Sequence, residues 1–408
     1  MLRRLVCIGL SVIAWALSVN TANAQSFGIE LLNNVMPASG AMAGASIAKP
    51  QDLQSSINGN PATLTQFRGT QFGFGSAWLE PTYNLTQTAA LPGFGVTAFP
   101  QTKSDAQGVA GGNIGVTQDF NAMGFPATTG LGLMAGAGAA GDFRQVPQSN
   151  GTHVAIVALD ILSGVGVDLT DRLSVGGTFM LSTATLDGPF VGITGASSDY
   201  GIRGGVGFTY QLPVDTSFGL YWKSEVGYTF DNLIRFPSVP TPFLDVSVDR
   251  PEILGLGISN NSLMDGKLLL SIDAVYQNYS DTDFFRAIYV DQWAVQCGAQ
   301  YSPNCRCRIR AGYAYNENPM RPIVPDTAGG VLPPGGVDHI QYIQAQLAVI
   351  PQHRITGGFG VRDVLPGVDL DLYAGGMFKE TQQFSTTIAS LEGYWIGFGL
   401  TWRFCRGS

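Results

Sequence analysis

The hydrophobic and polar positions of this chain alternate with a period of two over most of its length, the signature of strands whose two faces meet different surroundings. In the last segment Tyr394, Ile396, Phe398, Leu400, Trp402 and Phe404 share one face, and Trp395, Gly397, Gly399, Thr401 and Arg403 the other. The same pattern places Phe218, Leu220, Trp222, Val226, Tyr228 and Phe230 opposite Gly219, Tyr221, Lys223, Glu225 and Gly227. The second face is mostly Gly, Ser, Thr and Ala, which suits a narrow lumen better than bulk water. The pattern predicts strands over 69–79, 108–119, 128–138, 152–168, 173–187, 199–211, 216–230, 243–259, 266–279, 290–301, 306–316, 352–363, 368–379 and 391–404. Short connections such as Thr170–Arg172, Leu212–Asp215, Ser302–Asn304 and Leu365–Gly367 alternate with long ones over 80–107 and 317–351.

That periodicity fits either a soluble sandwich or a membrane barrel, and composition separates the two. The chain is 45% hydrophobic and only 13% charged, against about 25% charged in a soluble domain. Its 53 glycines among 408 residues argue against helices. Helices and closed barrels alone satisfy every backbone group in lipid, so the expected fold is all-β: a transmembrane antiparallel barrel of about 14 strands. Met1-Leu2-Arg3-Arg4, the apolar run Leu5–Val19 and Ala22-Asn23-Ala24 have the form of a cleaved export signal over residues 1–24. Residues 25–66, rich in small residues yet carrying Ile47, Leu53, Ile57 and Leu64, are expected to fold as a plug in the lumen. Residues 67–408 form the barrel.

The net charge of -8 and the absence of a basic stripe exclude nucleic acid as a partner. The expected partners are a hydrophobic small molecule and outer-membrane lipid, with the protein monomeric and free of cofactors and metal. Past the signal, Cys297, Cys305, Cys307 and Cys405 allow a disulfide, for instance a hairpin bond from Cys297 to Cys307. Gly136-Ala137-Gly138-Ala139-Ala140-Gly141 matches a dinucleotide-binding fingerprint, with Asp160 at the customary distance, but Pro147 and Gly151 interrupt any following helix.

Three segments carry a resemblance. Ala38–Ala45, the turn Asp52–Ser56 and Asn60-Pro61-Ala62, just before the first strand, resemble the hatch of the FadL/TodX family of outer-membrane long-chain fatty acid and aromatic-hydrocarbon transporters. Thr216–Ser224 is similar to that family's strand leading to a hydrophobic outer loop, and Ile309–Pro319 to its Arg-x-Gly-Tyr-x-Tyr segment. The resemblance implies passive uptake of hydrophobic molecules: capture at the outer loops, binding in the lumen, and lateral release beside a kinked third strand, for which Gly130, Gly132, Gly136 and Gly138 are candidates. Capture would fall to Leu233, Ile234, Phe236 and Phe243, with Phe190 in the neighbouring loop. Arg203, Lys223 and Arg310, inward by alternation, are the candidates to meet a ligand carboxylate, although Glu225, Asp273 and Asp371 offer them structural partners instead. A lipid-modifying barrel enzyme and a general pore are the alternatives; His153, His339 and His353 flank no nucleophile motif, and a plug speaks against an open pore.

Overall fold

In the computed structural model the described residues are 29–188, 193–235, 242–325 and 336–404. Fourteen strands close a ring: β1 (Thr70–Gln87), β3 (Val109–Asp119), β4 (Ala127–Asp142), β5 (His153–Asp168), β6 (Leu173–Asp187), β8 (Ala196–Leu212), β9 (Thr216–Lys223), β12 (Glu252–Leu263), β13 (Leu268–Asn278), β14 (Gln292–Tyr301), β15 (Cys307–Asn316), β16 (His353–Leu365), β17 (Val368–Phe384) and β18 (Thr387–Phe404). Neighbours are antiparallel throughout, and β18 pairs with β1 along its whole length, from Thr70↔Phe404 to Gln87↔Thr387. β2 (Phe99–Lys103) adds to β1 at the end carrying the long connections. β7 (Ile193–Thr194), β10 (Val226–Arg235) and β11 (Leu244–Arg250) make a separate three-stranded sheet.

The outward face is apolar: Leu131, Ile161, Phe179, Ile202, Ile258, Ile272, Ile355, Leu372 and Ile396 are among its exposed side chains. Tyr394 is 57% exposed while its neighbour Trp395 is 1% exposed, so the alternation read from the last strand is the alternation of the wall. Trp78 and Tyr276 stand near the long-loop end with their polar tips on Glu80 and Asp291, at 3.0 and 2.7 Å. An amphipathic ring with its tip on a carboxylate matches a membrane interface, where one end is apolar and the other wet.

Three expectations fail, the first being the single strand over 243–259, which Pro251 splits into β11 and β12 in different sheets. The strand read as 216–230 ends at Lys223, and Val226, Tyr228 and Phe230, assigned above to the outer face with Trp222, are buried inside. Ser224 and Glu225 break the strand, and the chain turns inward to make the β10–β11 hairpin. Alternation survives that turn because the hairpin has its own buried face, so periodicity alone could not show it. The Cys297–Cys307 bond also fails, and Cys297, Cys305 and Cys307 are free thiols. Cys297 faces Tyr313 across the ladder, whereas Cys307 faces Val361 on the other side. Six residues of strand from 307 to 313 put the two on the order of 20 Å apart, far beyond disulfide reach. Cys405 lies outside the described residues.

Candidate functional site

Residues 29–66 lie against the inner wall, buried except for half-buried Leu32, Lys49 and Gln51 and exposed Gln66. Capping chemistry gives the segment its turns. Asp52 accepts from Ser55 N at 2.7 Å as the N-cap of α1 (Leu53–Asn58), and from Ala38 N and Ser39 N at 2.9 and 2.7 Å. Asn60 caps a 3₁₀ turn over Pro61–Gln66 by accepting from Ala62 N, and donates to Ile47 O and to Phe208 O on β8, both at 2.9 Å. Asn60, Pro61 and Ala62 are thus a turn of that segment fastened to the wall. The wall grips it elsewhere too: Asp273 accepts from Ser46 N and Ile47 N at 2.6 and 2.9 Å, and Tyr373 donates to Val35 O at 2.7 Å. Wall glycines make the room. A Cβ on Gly176 would stand 2.5 Å from Pro61, one on Gly219 2.5 Å from Ile47 O, and one on Gly399 2.2 Å from Pro37.

Between β3 and β4 the ring is breached. β3 pairs with β4 only from Asp119↔Thr128 to Asn113↔Met134. Above that rung Val109–Gly112 keep their partners on β1, while Ala135–Asp142 keep theirs on β5. Between that rung and the next contact above, the opening is on the order of 26 Å tall at about 3.3 Å per residue. It closes above where Asp105 N donates to Asp142 O and Asp142 N to Ser104 Oγ, both at 2.9 Å. The β4–β5 register shifts between Ala135 and Ala137, making Gly136 a bulge. A Cβ there would lie 2.0 Å from Asp160 Oδ2, so the bulge requires glycine. On the freed edge of β4 sits the start of the inner segment: Glu30 bridges to Ala137, Leu31 N donates to Gly136 O at 3.1 Å, and Gly138 N to Ile29 O at 3.2 Å. Gly136 and Gly138 therefore belong to the breach. Gly130 and Gly132 lie below it in regular pairing, where they leave room for Ile57 and Leu64.

A buried charge network anchors this edge. Arg250, the last residue of β11, donates from Nε and Nη2 to Glu30 at 2.9 and 2.8 Å, and from Nη1 and Nη2 to Asp160 at 2.7 and 3.0 Å. Arg203 Nη1 donates to Glu30 at 3.1 Å. Ser182 donates to Asp160 at 2.6 Å and accepts from Tyr228 at 2.7 Å. All four charged side chains are at most 3% exposed. Burial pushes the Glu30 carboxyl up, but Arg250 and Arg203 outweigh it and hold it at about 2.

The three inward cations expected to meet a ligand are thus inside, and each already has a protein partner. Arg203 holds Glu30, and also donates to Ser224 O and Pro251 O. Lys223 donates to Asn58 O. Arg310 pairs with Asp371 and donates to Gln300 Oε1 at 2.7 Å. Of the other two carboxylates, Asp273 serves the inner segment, and Glu225 is exposed at the break between β9 and β10. Leu233 and Ile234 are core residues of a lid over the long-loop end, 0% and 3% exposed, and Phe243 is half-buried. Phe190 and Phe236 lie outside the described residues. The lid also contains α2 (Phe285–Ile288) and α3 (Val337–Gln346). Its core includes Phe94, Phe143, Tyr279, Phe285, Tyr289 and Tyr342.

Sequence reasoning missed Glu30 and Arg250, which lay in stretches read as plug and as strand. Asp160 carried a signal, because it interrupts the apolar inward register Val154, Ile156, Ala158, Leu162.

No protein-family model matches the chain, and no curated protein matches it. Among solved structures, the toluene transporter TodX of P. putida superposes with a TM-score of 0.66 at 16% identity, over 92% of this chain and 100% of that one. A FadL homologue of Pseudomonas aeruginosa gives 0.67 at 13% identity, over 95% and 99%. The chain has the fold of the FadL-type barrels. The toluene transporter TbuX of Ralstonia pickettii gives 0.63 at 16% identity, over 92% and 100%. At such identities the likeness shows the fold alone.

Proposed function

We propose that this protein is an outer-membrane channel for passive uptake of hydrophobic molecules, in which residues 1–24 direct export and residues 25–66 act as the hatch. Solutes enter through the lid at the cell surface and leave sideways between β3 and β4 into the bilayer. The observation that carries this reading is the breach itself: an unpaired stretch of wall bordered by Gly and Ala, stopped from within by Ile29–Leu31. A sideways exit spares an oily solute from crossing the periplasm in water. A filled lumen favours a gated route over a general pore. The neighbours named for toluene transport support the same class.

The breach can be sewn. A Cβ on Gly111 would lie 3.8 Å from Ala135 Cβ, the usual Cβ separation of a disulfide. In a background with Cys297, Cys305, Cys307 and Cys405 replaced by Ser, Gly111→Cys/Ala135→Cys is expected to lose uptake of a hydrophobic probe when oxidised, roughly tenfold or more. Reduction should restore it. Equal uptake in the oxidised and reduced forms would refute the lateral route.

A further inference from the structure

The proposed route enters at the lid and is stopped at the freed edge of β4, and a short run of residues joins the two places; the inference rests on that transport reading. The β10–β11 hairpin leaves the wall after Ser224 and returns to it at Pro251. Arg203 donates to both of those carbonyls and to Glu30, so the two feet of the hairpin and the inner segment share one guanidinium. At the far end Ile234 pairs with Thr194 of β7, and Leu233 and Ile234 are buried in the lid. The last two residues of β11 point to opposite faces of the hairpin. Asp249 accepts from Asp283 N, just ahead of α2 in the lid, at 2.7 Å, and Arg250 holds Glu30 at 2.9 and 2.8 Å. Two hydrogen-bonded contacts and one peptide unit therefore span the distance from lid to inner segment.

The lid end of this path is strained. Phe284, next to Asp283, has φ 56° and ψ -61°, and Phe285 N donates to Asp283 O across it at 2.6 Å. This is the rare, strained form of γ-turn, and a bulky residue adopts it only where the surroundings impose it. Here they are aromatic: Phe284 and Phe285 are 3% and 1% exposed, and Phe285 stacks on Tyr289 with ring centroids 5.2 Å apart.

We propose that Asp249 and Arg250 are positioning residues for the hatch, and that they couple the state of the lid to the seat of Ile29–Leu31. Parting the lid aromatics lets the Asp283–Phe285 turn relax and withdraws the N–H that Asp249 accepts; β11 then loosens, and Arg250 with it, from Glu30. Coupling needs an element with two arrangements that both sites bias, and a turn held in strain while the lid is closed supplies it. Among the described residues the hydrogen bond of the Asp249 side chain goes to the lid and not to the inner segment, so an effect of its loss on the seat is transmitted through Arg250.

The test is amide exchange of the full chain purified in detergent, read by mass spectrometry at the peptides that hold the Leu31 and Gly138 amides. Asp249→Ala is expected to speed their exchange roughly tenfold, the effect of losing one hydrogen bond to a charged group. Asp249→Asn keeps an acceptor and is expected to recover most of the protection. Added to Glu30→Gln, Asp249→Ala should speed exchange by less than about twofold more, because the link is already cut. Wild-type exchange in Asp249→Ala, full additivity with Glu30→Gln, or an equal rise in peptides from β13 to β15 would each overturn the coupling. No solute enters this assay, so its failure leaves the lateral route standing, to be judged by the Gly111→Cys/Ala135→Cys bond.

Discussion

Glu30→Gln removes the charge that fastens the inner segment to the freed edge of β4. With its carboxyl held at about 2 against an ordinary 4.5, the ionised side chain is favoured by about 3 kcal/mol at 1.36 kcal/mol per decade. That agrees with the 3–5 kcal/mol or so expected when one member of a buried ion pair is lost. The two backbone hydrogen bonds of Leu31 and Gly138 add about 1 kcal/mol each, so the carboxylate is the larger part of the hold. Amide exchange read by mass spectrometry on detergent-purified protein reports the opening directly, because Leu31 N–H and Gly138 N–H cross the edge. In the variant, peptides containing these amides are expected to exchange about two orders of magnitude faster, while peptides from β13 to β15 keep their protection. In the wild type the folded-state value lies below the unfolded one. The stabilisation is therefore complete above about pH 4.5 and fades as the pH falls toward 2. After correction for intrinsic exchange, the same two peptides should lose protection over that window. Unchanged protection in Glu30→Gln, or loss spread equally over the barrel, would refute the reasoning.

Gly219→Val should drive its new side chain into Ile47 O and loosen the inner segment, speeding chymotryptic cleavage after Leu53 roughly tenfold. Gly112→Val, with nothing within 4 Å of its Cβ, is the control and should not change cleavage. Asp371→Asn strands Arg310 in the interior and is expected to lower stability in urea by about 3–5 kcal/mol. The double change Arg310→Met/Asp371→Leu should recover most of that loss; equal midpoints for single and double variants would show that the pair is not coupled. Non-reducing peptide mapping should find both Cys297 and Cys307 alkylated, and a peptide linking them would contradict the β14–β15 register.

The barrel was legible in the sequence because a wall between lipid and a packed lumen imposes one rule on every strand, and Tyr394 to Phe404 obey it without exception. The β10–β11 hairpin was not, because Val226, Tyr228 and Phe230 alternate as faithfully against the interior of the barrel as they would against lipid. Period two reports that a face is buried, not what buries it. The glycines of the third strand were visible, but their division of labour was not. Gly130 and Gly132 admit side chains of the inner segment, and only the Asp160 carboxylate packed against Gly136 singles out the bulge. Arg250 was hidden for a related reason: its partners Glu30 and Asp160 are 220 and 90 residues away, and no local pattern joins them.

The seat of Ile29–Leu31 also explains why a breach in the wall is tolerable. Backbone donors and acceptors left bare in lipid cost several kcal/mol each, and β4 above Met134 has no partner on its β3 side. Leu31 N and Ile29 O satisfy Gly136 O and Gly138 N, so the inner segment is a short strand completing the sheet from within. The closed state therefore has both its backbone groups and its charges answered. Withdrawing the segment exposes the β4 groups and separates Glu30 from Arg250 together. On the proposed lateral route, opening would carry the cost of those unanswered groups, and that cost would hold the segment on its seat in the resting state.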